Sequence, residues 1–304
     1  MSDLKLFRIA DGKAHELASS AVALERKLQN VIEANMETLF GVQFLESEYW
    51  TGQKHRGRID SLGIDETGSP VIFEYKRSRD ENVINQGLFY LDWLLDHQAE
   101  FTLLVMKKLG EKPSEQIDWT NPRLVCVAAD FTRYDEHAIQ QNNRNIELVR
   151  YRDFDGELLA LELLTSVTVA SSATTETPRG RGKVSRDRTV TENLKKASPD
   201  LTNLYADLDA QLTAFGDDVQ MTTRQNYFAY KRIKNFACVE VHPQSRNLLV
   251  YLKVNPDDVE LEQGFSRNVR GIGHFGTGDL ELRLTNSDDL AKAESYLRQS
   301  YDVS

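Results

Sequence analysis

Asp60, Glu74 and Lys76 are the residues of this chain whose types and spacing can do chemistry. Asp60 closes the run Gly57-Arg58-Ile59-Asp60. Fourteen residues later Glu74 sits inside Ile72-Phe73-Glu74-Tyr75-Lys76-Arg77. Both runs have strand character. Strand side chains alternate between faces, so Glu74 and Lys76 point one way while Phe73 and Tyr75 point the other. Between the runs, Asp65-Glu66-Thr67-Gly68-Ser69-Pro70 reads as a hairpin turn that brings Asp60 alongside Glu74. Two carboxylates and one amine then meet on a sheet otherwise rich in Val, Ile, Leu and Phe. Phosphodiester hydrolysis uses this mixture. Two carboxylates can hold Mg²⁺ (or Mn²⁺), which favours oxygen ligands and keeps several waters. The ion acidifies water and neutralises charge in the transition state, and an adjacent lysine orients that water or stabilises negative charge. Ten residues after Lys76 come Gln86, then Tyr90 and Trp93, along one face of a helix that can close over the site. The rival reading makes the three residues a solvated charge cluster that contributes little. A second rival keeps the same fold for binding alone, without catalysis.

These residues resemble the PD-(D/E)XK nuclease superfamily, in the branch of RecB-like nucleases and mismatch-specific endonucleases. That family carries a Gly-x-apolar-Asp strand, an apolar Glu-x-Lys strand and a helix with Gln-x-x-x-Tyr. The chain reads Gly57-Arg58-Ile59-Asp60, Glu74-Tyr75-Lys76 and Gln86-Gly87-Leu88-Phe89-Tyr90, and the likeness spans roughly residues 20–165. The resemblance implies a restriction-endonuclease-like α/β fold, a mixed sheet flanked by helices. It also implies Mg²⁺-dependent cleavage of DNA in repair or defence, and often a homodimer. It assigns Asp60 and Glu74 to the metal, with Lys76, Gln86 and Tyr90 as further site residues. Glu25 matches a first-helix glutamate of the family, with Glu33 the second choice. Arg58, Arg77 and Arg79 are candidate phosphate contacts. No counterpart of the mismatch endonucleases' N-terminal DNA-binding domain is expected, so their substrate preference is not carried over.

The elements that must position these residues follow from periodicity. Residues 22–40 place Leu24, Leu28, Val31, Ile32, Asn35 and Leu39 on one helical side, and Gly41 is a stop signal. Strands are expected at 42–45, 58–64, 71–76, 101–106, 123–129 and 146–151, with helices at 82–96 and 134–141. The domain so defined is 1–165. Residues 166–190 change abruptly to Ser, Thr, Ala and Gly, with Arg179, Arg181, Lys183, Arg186 and Arg188, a composition expected of a flexible linker. Residues 191–304 form a smaller α+β domain, expected to serve substrate recognition or regulation, with helices at 200–214 and 287–301 and strands at 227–232, 236–242, 248–254 and 280–284. Tyr227-Phe228-Ala229-Tyr230-Lys231, Phe236-Ala237-Cys238-Val239 and the stretch with Gly273, His274 and Phe275 resemble a domain of unknown function of the DUF5655 type. Arg224, Lys231, Arg232, Lys234, Arg267, Arg270 and His274, with Tyr227 and Phe275, offer that domain a basic, aromatic surface for nucleic acid, weighed against solvated cations on a sheet.

Composition bounds the rest. The 304 residues suffice for two domains, and the net charge of −10 excludes a chain that coats nucleic acid non-specifically. It leaves room for an enzyme with a local basic groove. Cys126 and Cys238 lie in apolar strand-like runs and suit neither a zinc site nor a disulfide framework. No secretory signal or spanning segment is legible, which makes the cytoplasm the expected location and a membrane role unexpected. Phosphate-loop and nucleophile-elbow patterns are lacking, and the six histidines have no metal-ligand spacing.

Overall fold

The computed structural model describes residues 4–20, 25–77, 83–154, 156–167 and 189–304, and it divides the chain into two compact units, 1–169 and 170–304. The first unit opens with a hairpin of β1 (Leu6–Ala10) and β2 (Lys13–Leu17), turning at Asp11-Gly12 with positive φ at both residues. Then come β3 (Ser19–Ser20), α1 (Glu25–Ala34), α2 (Met36–Phe40), β4 (Val42–Trp50), the short α3 (Gly52–His55), β5 (Arg58–Asp65) and β6 (Pro70–Lys76). After them lie α4 (Val83–Asp96), α5 (Gln98–Leu109), α6 (Glu111–Glu115), β7 (Arg123–Ala128), α7 (Arg133–Gln140), β8 (Asn145–Phe154) and β9 (Leu158–Val167).

The sheet runs β3-β8-β7-β6-β5-β4, with β9 also pairing β8. β4, β5 and β6 form an antiparallel meander, whereas β6, β7 and β8 are parallel. Parallel neighbours need long crossovers, and α4 to α6, then α7, supply them. Side-chain alternation gives each face its cover. Ile72, Leu124, Cys126 and Ile146 pack with Leu91 of α4, Phe101 of α5 and Ile139 of α7. On the opposite face Phe73 meets Phe40 of α2 edge-on at 5.0 Å, and Leu28 and Ile32 of α1 are buried. At the end of the sheet where β7 and β8 begin, buried Arg123 donates to Glu147 through two 2.9 Å hydrogen bonds and to Asp65 at 2.9 Å. This is the mixed sheet flanked by helices that the sequence leads one to expect.

Three expectations are corrected. Residues 101–106 are the middle of helix α5, not a strand, and bury Phe101, Leu104 and Val105 at helical spacing. The expected helix 22–40 is two helices broken at Asn35, with Val31 exposed; Leu24 lies outside the described residues. β9 and the β1–β2 hairpin have no expected counterpart.

The second unit has helices α8 (Val190–Lys195), α9 (Pro199–Thr213) and α10 (Ser287–Asp302). Its strands are β10 (Gln220–Thr223), β11 (Phe228–Lys231), β12 (Asn235–His242), β13 (Asn247–Leu252), β14 (Ser266–Asn268) and β15 (Leu280–Leu284). They make one antiparallel sheet in the order β10-β11-β12-β13-β15-β14. Leu204 and Leu208 of α9 and Leu290 and Leu297 of α10 pack on Tyr230, Val239, Val250 and Leu282. Most residues expected of the linker, 168–188, lie outside the described residues.

Candidate active site

The backbone ladder between β5 and β6 pairs Ile64 with Pro70 through to Ser61 with Phe73. At the next position side chains take over. The Tyr75 N–H donates to Asp60 Oδ2 at 2.9 Å, and the Asp60 N–H donates to Glu74 Oε1 at 3.3 Å. β6 meanwhile stays paired with β7, Glu74 beside Cys126 and Lys76 beside Ala128. The two carboxylates therefore bridge the point where β5 parts from β6 while staying paired with β4. Gln29 of α1 supports β5 there, donating to the Asp60 carbonyl at 2.7 Å.

The electrostatics of this pair are unfavourable. Glu74 is fully buried, and its Oε2 has no hydrogen-bond partner. Burial pushes its carboxyl well above the ordinary range, and neighbouring Asp60 pushes it further. Asp60 is raised to about 6 by burial, against the opposing Tyr75 N–H and the Lys76 ammonium. A buried polar atom without a partner is uncommon and costly. An orphaned carboxylate oxygen beside a second carboxylate suits a cation. The residues fit a hard divalent ion held by two carboxylates plus water and substrate oxygens. Among the described residues no group of three or more His, Cys, Asp or Glu is placed to hold a metal ion, so protein ligands beyond the two carboxylates are not supplied.

Lys76 is mostly covered, and its Nζ lies 3.9 Å from Glu25 Oε2 at the start of α1. Asp60, Glu74 and Lys76 are thus brought together, with Glu25 on the Lys76 side. Glu33 instead accepts from Ser61 Oγ at 2.6 Å and from Gln29 at 2.9 Å. Gln86 and Tyr90 do something other than touch the carboxylates. Gln86 Nε2 donates to Tyr90 Oη at 3.4 Å, and that oxygen accepts the Arg58 N–H at 3.2 Å. A Cβ on Gly57 would stand 2.4 Å from the Tyr90 ring, and one on Gly87 2.5 Å from Leu124. The two glycines let α4 dock on β7 and let Tyr90 pin the first residues of β5, two positions before Asp60. These are positioning roles.

Arg58 and Arg77 are exposed, while Arg79 lies outside the described residues. Lys231 is buried at 9% exposure in the second unit, which corrects its expected part in an exposed basic face. Three arginines of that expected face are paired with carboxylates. Arg232 pairs with Asp218 at 2.7 Å, Arg267 with Glu281 at 2.6 Å, and Arg270 with Asp257 at 2.6 Å and Asp279 at 3.0 Å. Tyr227 is buried and His274 stacks on Tyr251 at 4.3 Å.

Glu48 is a site residue that sequence reasoning misses. It sits on β4 with φ of 51°, pairs with Arg26 at 2.7 Å, and raises both Asp60 and Glu74. A strand glutamate in the left-handed region leaves no pattern that marks it.

By fold, the first unit is a mixed α/β sheet between helices, with acidic residues and a lysine where two antiparallel strands part. Residues 190–304 match the model of a domain of unknown function, DUF5655. A relative described as an uncharacterized protein of Haemophilus influenzae is 26% identical, covering 98% of this chain and 99% of its own length. A repair endonuclease from Pyrococcus abyssi aligns at 21% identity and TM-score 0.29, over 44% of this chain and 49% of its own. The structure of an EndoMS-dsDNA2 complex aligns at 21% identity and TM-score 0.26, over 45% of this chain and 47% of its own. The chain therefore spans about half the length of either endonuclease.

Proposed function

We propose that this protein is a metal-dependent nuclease that hydrolyses phosphodiester bonds in DNA at Asp60, Glu74 and Lys76. The observation that carries the reading is the buried Asp60–Glu74 pair with its partnerless Glu74 Oε2, beside an amine. Asp60 and Glu74 would hold a Mg²⁺ or Mn²⁺ ion, which when bound supplies Lewis-acid chemistry, neutralising phosphate charge and acidifying water. The chain's own residues do the rest. Lys76 presents an ammonium to charge developing on the phosphate, an interaction worth most in a site that excludes water. Tyr75 N–H fixes the rotamer of Asp60, and Tyr90 fixes the strand that carries it. The acidic pair also repels a polyanion until a cation is present, so substrate and metal are expected to bind together.

The test is a cleavage screen over single-stranded, duplex, branched and modified DNA with Mg²⁺ or Mn²⁺. Asp60→Ala, Glu74→Ala and Lys76→Ala should each lower cleavage by at least about 100-fold with the fold intact. Chelator should abolish cleavage and added metal restore it. Three variants that cleave like the wild type, or cleavage indifferent to chelator, would overturn the reading.

A further inference from the structure

The loop between β4 and β5 is a closed unit. Gly57 N–H donates to Thr51 Oγ1 at 3.0 Å, Thr51 Oγ1 to the Gly57 carbonyl at 3.0 Å, and Thr51 N–H to the same carbonyl at 3.1 Å. The loop holds His55 against Phe89 of α4, with ring centroids 5.2 Å apart, and 5.9 Å from His97. His97 in turn stacks on buried Trp93 at 4.6 Å and 15°. The row ends in Phe89, which is 48% exposed. One exposed phenylalanine needs no explanation. Here, however, His55 and Tyr90 pack against it at tilted angles with His97 and Trp93 behind, which makes a continuous aromatic cluster, and Tyr90 is tied to the strand that carries Asp60.

Cations flank this face. Arg56 and Arg58 are exposed, and the Arg58 guanidinium has no hydrogen bond or ion pair with any described residue. Elsewhere Arg26, Arg123, Arg150, Arg267 and Arg270 are matched to carboxylates, in a chain of net charge −10. Arg58 precedes Asp60 by two strand residues, about 7 Å. Aromatic faces beside unpaired cations are how single strands are held, a base on the ring and phosphates on the cations.

We infer that Phe89, backed by His55, is a stacking platform for an unpaired base next to the scissile phosphate, with Arg58 on the flanking backbone. This rests on the nuclease reading and names the substrate feature its site requires: a locally unpaired strand.

The test uses the full chain with Ca²⁺ in place of Mg²⁺, whose larger, looser coordination neutralises the acidic pair without supporting catalysis, so that binding is read without cleavage. Labelled oligo(dT) is compared with an abasic strand of equal length by fluorescence anisotropy. The wild type should prefer the base-bearing strand by about 10-fold. Phe89→Ala should erase that preference and Phe89→Trp keep it, while Arg58→Ala weakens both strands alike. A wild type that binds both strands equally, or a Phe89→Ala variant that keeps the preference, overturns the platform. Metal-dependent cleavage in the same preparation would then leave the nuclease reading standing. A wild type that neither binds either strand nor cleaves with Mg²⁺ overturns both.

Discussion

A carboxylate buried beside another opposes folding whenever both are charged. Asp60 is raised from 3.8 to about 6, so its neutral form is favoured in the folded state. The stability this gives is fully present below pH 3.8 and is lost as pH rises through about 6, where the folded protein must ionise it. The two carboxyls titrate together, so the strain belongs to the pair. Asp60→Asn keeps an oxygen for the Tyr75 N–H and removes the charge. In chelator at neutral pH it should therefore stabilise the protein, by at most about 3 kcal/mol, while abolishing cleavage. The gain should shrink near pH 4, and Mg²⁺ should raise the melting temperature of the wild type more than that of the variant. Thermal unfolding at both pH values reads this directly. A variant less stable than the wild type at neutral pH would mean that the pair is not strained. The pair is legible in sequence because alternation and one turn suffice to align it. Glu48 is not, since it comes to Asp60 only because Ser47 and Tyr49 beside it pair with Ser61 and Ile59, and its backbone angle is one that no residue pattern announces.

Helix α4 reaches the site by touching backbone. Gly57→Ala would drive a methyl into the Tyr90 ring, and neither that buried ring of α4 nor the strand start can yield freely. Overpacking of this kind costs about 1–3 kcal/mol. Cleavage should fall by at least about 10-fold, because a displacement of an ångström at a catalytic carboxylate costs that much or more. Tyr90→Phe keeps the ring and removes the oxygen that accepts from the Arg58 N–H and from Gln86, at about 1 kcal/mol per hydrogen bond. Combined with Tyr90→Ala, Gly57→Ala should cost less than the sum of the two, since the clash is gone. Urea titrations of the single and double variants measure this, and strict additivity would refute the clash. The Gln86-to-Tyr90 spacing predicts involvement, but only the fold shows that it acts on β5 rather than on the metal. Helix α5 reads as a strand for a related reason. Leu103 and Met106 are half-exposed apolar residues among buried Phe101, Leu104 and Val105, so the run looks uniformly apolar and its period is hidden. The Asp11-Gly12 hairpin, by contrast, carries its turn signal in plain sequence. Among the described residues β9 pairs only with β8, a partner that no local pattern names.

At the scale of the whole molecule, every residue proposed to hold metal or meet substrate lies in the first unit, which has its own core. The second unit has a separate core, and among its described residues the arginines and lysines of the expected basic face have partners. Paired cations release few counterions on meeting DNA, so they add little to binding. Removing that unit should therefore leave both metal-dependent cleavage and its salt dependence nearly unchanged, provided the stretch with Arg179, Arg181, Lys183, Arg186 and Arg188 is kept. The comparison is full-length protein against residues 1–188 and 1–169, with binding measured over a salt series. Each phosphate interaction removed lowers the slope of log affinity against log salt by about 0.7 to 0.9. A slope that falls already at 1–188 would give the DUF5655 unit direct interactions with DNA, against the expectation. A slope that falls only at 1–169 would assign those interactions to the basic stretch. Loss of cleavage in a folded 1–188 fragment would place part of the active machinery in the second unit, and the site built on Asp60 and Glu74 would then be incomplete by itself.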